Sequence, residues 1–247
     1  MRLDKFLCKS TDLVRTDATA MIHRGAVLVN GDVIINEATQ VHENNTITLE
    51  GQLLTPRPSR YIMLHKPVNS ICSNVDEGYP SIFHLIDIDR AFDLHVAGRL
   101  DTDTTGLVLA TDDGRWSYNI ITPHKQCEKV YRVALRDSIA CDIPKRFEEG
   151  IQLQGEASLT RPARLEVLGD NEVLLTITEG KFHQVKRMFA AVGNRVVALH
   201  RQKIGEIGNS GNTIEPHLHL HAETIVESGN TNKHGEPVHM RFNGRFM

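Results

Sequence analysis

The sequence predicts an α+β protein: a small N-terminal domain of two helices and a short sheet, a linker, and a larger domain built on a mixed, mainly antiparallel sheet with flanking helices. Three observations carry this reading. Apolar spacing near the N-terminus is helical and then changes to alternation around an Asn-Gly pair. A stretch with two prolines and no apolar residue, TPRPSR, follows at 55 to 60. Beyond it, strand and helix patterns interleave without a Gly-rich phosphate loop or a regular βαβ repeat, which argues against a doubly wound sheet.

Taken in order, Leu3, Phe6 and Leu7 stand at helical spacing and predict a first helix. Ala18, Met21 and Ile22 predict a second, stopped by Gly25 just past its end. In AVLVNGDVII, Asn30-Gly31 separates two β-branched runs, the strongest short signal for a two-residue hairpin. These elements define a domain over 1–54, with 55–60 reading as linker because it has the composition of a connecting segment. The second domain runs from 61 to 204. YIMLHKP, GLVLAT and EVLLTIT read as strands, and KVYRVAL as a strand that alternates loosely through Val130, Arg132 and Leu135. HQVKRMFAAVG is the clearest helix: Val185, Met188, Phe189 and Val192 form its apolar stripe, Gly193 ends it, and Lys186 and Arg187 fall off the stripe, open to a site.

The 247 residues are 40% hydrophobic, 24% charged and 5% aromatic. These are ordinary globular proportions, which exclude collagen, coiled coil and a largely disordered chain. No run approaches the roughly 18 apolar residues that span a bilayer. MRLDKFLCKS is followed by no apolar signal region, so a cytoplasmic protein is expected. Cys8, Cys72, Cys127 and Cys141 share no ligand-like spacing and read as reduced, individually buried thiols rather than a zinc site.

The 28 basic and 31 acidic residues give a net charge of −3, mildly against a nucleic-acid partner. Distribution matters more than the sum. Between Glu179 and Glu206 lie Lys181, Lys186, Arg187, Arg195, Arg201 and Lys203 with no acidic residue among them, a candidate phosphate-facing patch. The sharpest string is VAGRLDTDTTGLVLATDDG at 96 to 114. Gly98 permits close backbone approach, Arg99 suits a phosphate or carboxylate, and Asp101 precedes a strand. By itself the string reads equally as a loop whose Asp101, Thr102 and Thr104 satisfy backbone groups.

Two resemblances extend this. RLDKFL, VRTDATAMIHRGAVLVNG and ITLEG together resemble the small RNA-binding domain first recognised in a small-subunit ribosomal protein. That resemblance implies RNA contacts by Arg2, Lys5, Lys9, Arg15 and Arg24. Val14 departs from it, standing where the family often has a helix-capping Ser. GRLDTDTTGL, with LHKPVN before it and EKVYRVAL and EGKFHQVKRMFAAVGNRVVALHRQKIG after it, resembles the pseudouridine synthases of the RsuA type, the motifs falling in family order. The resemblance implies isomerisation of a uridine within ribosomal RNA, most closely small-subunit RNA, by a monomeric enzyme without cofactor or metal. It makes Asp101 the catalytic aspartate, attacking either the ribose or the uracil ring, and leaves Asp103 at a variable position. Tyr131 would stack on the flipped base and assist proton removal. Lys186 would pair with Asp101, since a nearby opposite charge favours the ionised carboxyl. Arg99 would order the loop and the nucleotide's phosphate, and Lys181 and Arg187 would contact RNA. The alternative is an RNA-binding assembly factor on a synthase scaffold.

After Gly205 the pattern changes. Five of the thirteen histidines, His217, His219, His221, His234 and His239, lie in 205–247. EPHLHLHAE resembles the closing segment of lysostaphin-type zinc endopeptidases, whose HxH pair His217 and His219 would match. The upstream HxxxD string of those enzymes is missing, so the expectation is a non-catalytic tail joined near Gly205 and no metal site.

Overall fold

The structure is a computed structural model that describes residues 1–205 and the backbone of Ala222–Glu223. The expected peptidase-like histidines 217, 219 and 221 lie outside the described residues. The chain divides into two compact units, Met1–Arg60 and Tyr61–Met247.

In the first unit, helices α1 (Leu3–Ser10) and α2 (Arg15–His23) pack on a four-stranded antiparallel sheet ordered β2-β1-β3-β4. The strands are β1 (Val27–Val29), β2 (Asp32–Val33), β3 (Ile47–Leu49) and β4 (Gln52–Leu53). Asn30 and Gly31 turn the first hairpin with φ of 53° and 93°, so Leu28 faces Val33 and Val29 faces Asp32. Both turn residues are left-handed, matching the strand twist. Leu3, Phe6 and Leu7 of α1 meet Ala18 and Ile22 of α2 over Val27, Val41 and Ile47, all buried. α2 begins at Val14 with no side-chain cap. The stretch 55–60 is held within this unit rather than standing clear of it: Arg57 donates to the carbonyls of Cys8 (2.7 Å) and Thr11 (2.9 Å), and Lys9 Nζ donates to Ser59 Oγ (2.7 Å).

The second unit is an eight-stranded mixed sheet whose main path is β5-β7-β11-β8-β10-β9. Its strands are β5 (Tyr61–Lys66), β6 (His95–Val96), β7 (Thr105–Thr111), β8 (Lys129–Leu135), β9 (Arg164–Gly169), β10 (Glu172–Ile177), β11 (Val196–Ile204) and β12 (Ala222–Glu223). β6 pairs with β7 and β12 with β11. Only the β7–β11 pairing is parallel among the described strands, so the sheet is mixed and mainly antiparallel, as expected. Three helices flank it: α3 (Gly114–Ile121), α4 (Ile143–Glu149) and α5 (Gln184–Ala191). Asp113 caps α3 by accepting the N–H groups of Arg115 and Trp116. Val185, Met188 and Phe189 of α5 are buried against the core, as the stripe predicts, and Gly193 stands at φ 80° beyond the helix end.

Two expectations are corrected. β8 alternates strictly, but in the other phase: Lys129, Tyr131, Val133 and Leu135 are buried, whereas Val130 and Arg132 face outward half-buried. The phase escapes a hydrophobicity reading because a lysine and a tyrosine occupy buried positions. All four cysteines are thiols, yet Cys141 is exposed and the other three half-buried.

Candidate active site

The loop from Gly98 to Thr104, between β6 and β7, is held from both ends by buried cations. Arg201 of β11, 1% exposed, donates from Nε to the Leu107 carbonyl (2.7 Å) and from its guanidinium to the Gly98 carbonyl (2.8 Å). Lys66, at the end of β5 and fully buried, donates to the carbonyls of Pro67 (3.0 Å), Thr102 (3.2 Å) and Thr104 (2.9 Å). The Asn69 N–H also donates to the Thr102 carbonyl, at 2.9 Å. Backbone carbonyls thus satisfy the hydrogen bonds of two buried cations, and the loop between these anchors is fixed. Burial pulls the Lys66 ammonium below the ordinary lysine range.

That loop presents Asp101 to a cavity of about 520 Å³. Lys186, one turn into α5, donates from Nζ to Asp101 Oδ2 (2.9 Å) and to Asp103 Oδ1 (2.6 Å). Both Asp101 and Lys186 are partly screened, with side chains 30% and 27% exposed. His183 Nε2 lies 3.5 Å from the other Asp101 oxygen. Burial works against the Lys186 charge, but its bonds to Asp103 and Asp101 outweigh burial and raise its pKa, so it is an ammonium at neutral pH. The Asp103 carboxyl is held below its ordinary value: slight burial pushes it upward and the Lys186 bond and charge overcome that. Tyr131, 7% exposed on β8, lines the same cavity, as do Lys129 and Arg201. The cavity therefore gathers Arg99, Lys129, Lys181, Lys186 and Arg201 on a lining whose carboxylates are Asp101 and Glu77, in a chain whose net charge is −3.

The structure brings Asp101, Tyr131 and Lys186 to one cavity and draws Asp103, the variable position of the motif, into the same ion pair. Arg99 is exposed at the cavity and has no ion-pair partner among the described residues; the ordering of the loop falls to Lys66 and Arg201 instead. The cations of the acid-free stretch do not share one environment: Arg195 is exposed. Arg201 is sealed inside, and Lys181 and Arg187 both bind Glu156, at 2.9 and 3.1 Å, a carboxylate distant in sequence. In the first unit, Arg2 and Arg15 close on the buried Asp4, at 3.0 Å each, and Arg24 pairs with Glu50. Lys5 is exposed, and Lys9 reaches Ser59. Sequence reasoning missed Lys66, His183 and Glu156. The Lys-Pro of LHKPVN marked the first without revealing that its ammonium turns inward, and nothing local signals the other two.

A carboxylate beside an ammonium, with a phenol ring on the same cavity, supplies a nucleophile or charge stabiliser and a surface for a planar base. The comparisons agree with that chemistry. Residues 60–191 match the family described as RNA pseudouridylate synthase. The chain is 49% identical over 216 residues to the ribosomal small subunit pseudouridine synthase A of Vibrio cholerae, covering 87% of this chain and 93% of the relative. It is 46% identical over 208 residues to the protein of the same name from Escherichia coli, covering 84% and 90%. Among solved structures, a pseudouridylate synthase crystal structure superposes with a TM-score of 0.60 at 48% identity, over 84% of this chain and 90% of that one. Motif order, cavity and extent of identity converge: this chain belongs to the RNA pseudouridylate synthase family, enzymes that isomerise uridine in RNA to pseudouridine.

Proposed function

We propose that this chain converts a uridine of small-subunit ribosomal RNA to pseudouridine, with Asp101 as the catalytic nucleophile. The observation that carries the assignment is the Asp101 carboxylate at the cavity with the Lys186 ammonium 2.9 Å away. The target uridine leaves its stack and enters the cavity, at a cost of a few kcal/mol. Asp101 then attacks the ribose or the uracil ring, its Oδ2 accepting a hydrogen bond from the Lys186 ammonium at 2.9 Å. The glycosidic nitrogen–carbon bond breaks, the uracil turns, and a carbon–carbon bond to the ribose forms as the bond to Asp101 is released; the ring carbon then loses its proton and the freed ring nitrogen takes one up. Tyr131 offers its ring to the base and its hydroxyl to the proton lost from the new carbon centre. No cofactor or metal enters this scheme. We read the enzyme as a monomer that works in the cytoplasm on ribosomal RNA. The small-subunit preference rests on the names of the Vibrio cholerae and Escherichia coli relatives. Lys5 and Arg99 are our candidates for phosphate contact, because neither has an ion-pair partner among the described residues.

Asp101→Asn tests the assignment, since it keeps the side chain's shape and removes its charge. The variant is expected to bind transcribed small-subunit ribosomal RNA as the parent does and to release no tritium from RNA labelled at uracil C5. Substantial release by that variant would sink the role of Asp101. Retained binding with no release by the parent itself would favour an RNA-binding assembly factor.

A further inference from the structure

Phe182 is 75% exposed, the most open large apolar side chain among the described residues, and it stands at the cavity that holds Asp101. Its openness does not come from a loose segment. Arg187 donates to the Phe182 carbonyl (3.0 Å), and Lys181 and Arg187 grip Glu156 from either side of it. The Lys181 N–H donates to Gln184 Oε1 (2.8 Å), and Gln184 is itself bonded to the buried Glu179. The ring of Phe182 is backed by the His183 imidazole, with centroids 3.8 Å apart and planes 23° apart. His183 takes φ 46°, a left-handed conformation that a non-glycine residue adopts only where its surroundings hold it. That same imidazole reaches within 3.5 Å of Asp101 Oδ1. A phenyl face, an imidazole and the carboxylate thus follow one another, the outer face open to solvent.

An aromatic face held rigid beside a cation-lined cavity matches a nucleobase, because every base has a π-face and stacking tolerates any sequence. Extruding one nucleotide strips its neighbours of a stacking partner. We propose that Phe182, backed by His183, is the stacking platform for a nucleobase flanking the target uridine, and that this stacking offsets the cost of extrusion. Arg99, exposed on the same cavity, suits the phosphate between the two nucleotides. The inference rests on reading the cavity as the uridine site.

The test uses the full chain and a small-subunit ribosomal RNA fragment with 2-aminopurine placed in turn on each side of the target uridine. Binding of the parent and of Phe182→Trp is expected to quench 2-aminopurine on one side, whereas saturating Phe182→Ala and Phe182→Leu leave it bright. In tritium release, Phe182→Ala is expected to raise KM about tenfold with a smaller effect on kcat, a stacking-sized change. Phe182→Trp should restore KM and Phe182→Leu should not. Rescue by leucine, or quenching unchanged in Phe182→Ala, overturns the platform, as does a loss confined to kcat. Fluorescence reads stacking without turnover, so a parent that quenches through Phe182 but releases no tritium loses the proposed reaction and keeps the platform. A parent that turns over without Phe182-dependent quenching loses the platform alone.

Discussion

Burial draws the Lys66 ammonium below the ordinary lysine range, while Lys186, partly screened and gripped by Asp103 and Asp101, is held above it. The first lysine spends its charge on carbonyls and shapes the loop; the second keeps its charge at the cavity. The same division separates the basic residues of the first unit. Arg2 meets the carboxylate of Asp4 through two nitrogens, at 3.1 and 3.0 Å, so its guanidinium serves the fold. Lys5, one residue further on, is exposed. Lys5→Ala is therefore expected to weaken RNA binding and to lower the slope of log affinity against log salt by roughly one, with the melting temperature unchanged. Arg2→Ala is expected to lower stability and leave the slope alone. Filter binding across a salt series reads both, and an unaltered slope for Lys5→Ala would remove that residue from the interface.

At the scale of elements, the parallel contact of β7 with β11 sets the cavity's floor, because it places Arg201 behind the loop. Gly106 makes the contact possible. It stands at φ 109° opposite Arg201, and a methyl group there would lie 2.3 Å from the Arg201 carbonyl oxygen. Gly106→Ala is expected to cost about 3 kcal/mol or more, combining backbone strain with overpacking. Activity should fall with stability as Arg201 is pushed from Gly98 and Leu107. Thermal melting with single-turnover kinetics checks this, and a variant as stable and active as the parent would show the strands able to separate freely. Elements with a local signature were legible in the sequence: the Asn30-Gly31 hairpin and α5 carry their own turn residues and apolar stripe. What joins elements was not. Glu156 meets Lys181 and Arg187 across intervals of 25 and 31 residues, and Arg201 meets Gly98 across 103. No periodicity encodes which way a long cation turns. The catalytic candidates were legible through motif resemblance, whereas His183 beside Asp101 depends on a left-handed residue that is not glycine.

Over the whole molecule, each unit has a core of its own. Leu3, Phe6, Leu7, Ile22 and Ile47 fill the first, while Phe83, Phe147, Phe189 and their neighbours fill the second. Separate cores predict separate melting, and Asp4 supplies the means of telling the two apart. Its side chain is buried, which works to raise its pKa; hydrogen bonds from Arg2, the Lys5 N–H and Arg15 outweigh burial and bring it below the ordinary 3.8. A carboxyl depressed in the folded state stabilises it fully above the unfolded value and loses that contribution as pH falls through the folded one. The first unit should therefore weaken progressively below pH about 4. Asp4→Asn is expected to cost about 1–3 kcal/mol at neutral pH and to flatten this acid dependence. In calorimetry the full chain should melt in two transitions. Asp4→Asn should lower one by on the order of 10 °C, and Gly106→Ala should lower the other. A single transition moved by both substitutions would mean that the two cores melt as one, and that losing the carboxylate in α1 also weakens the cavity around Asp101.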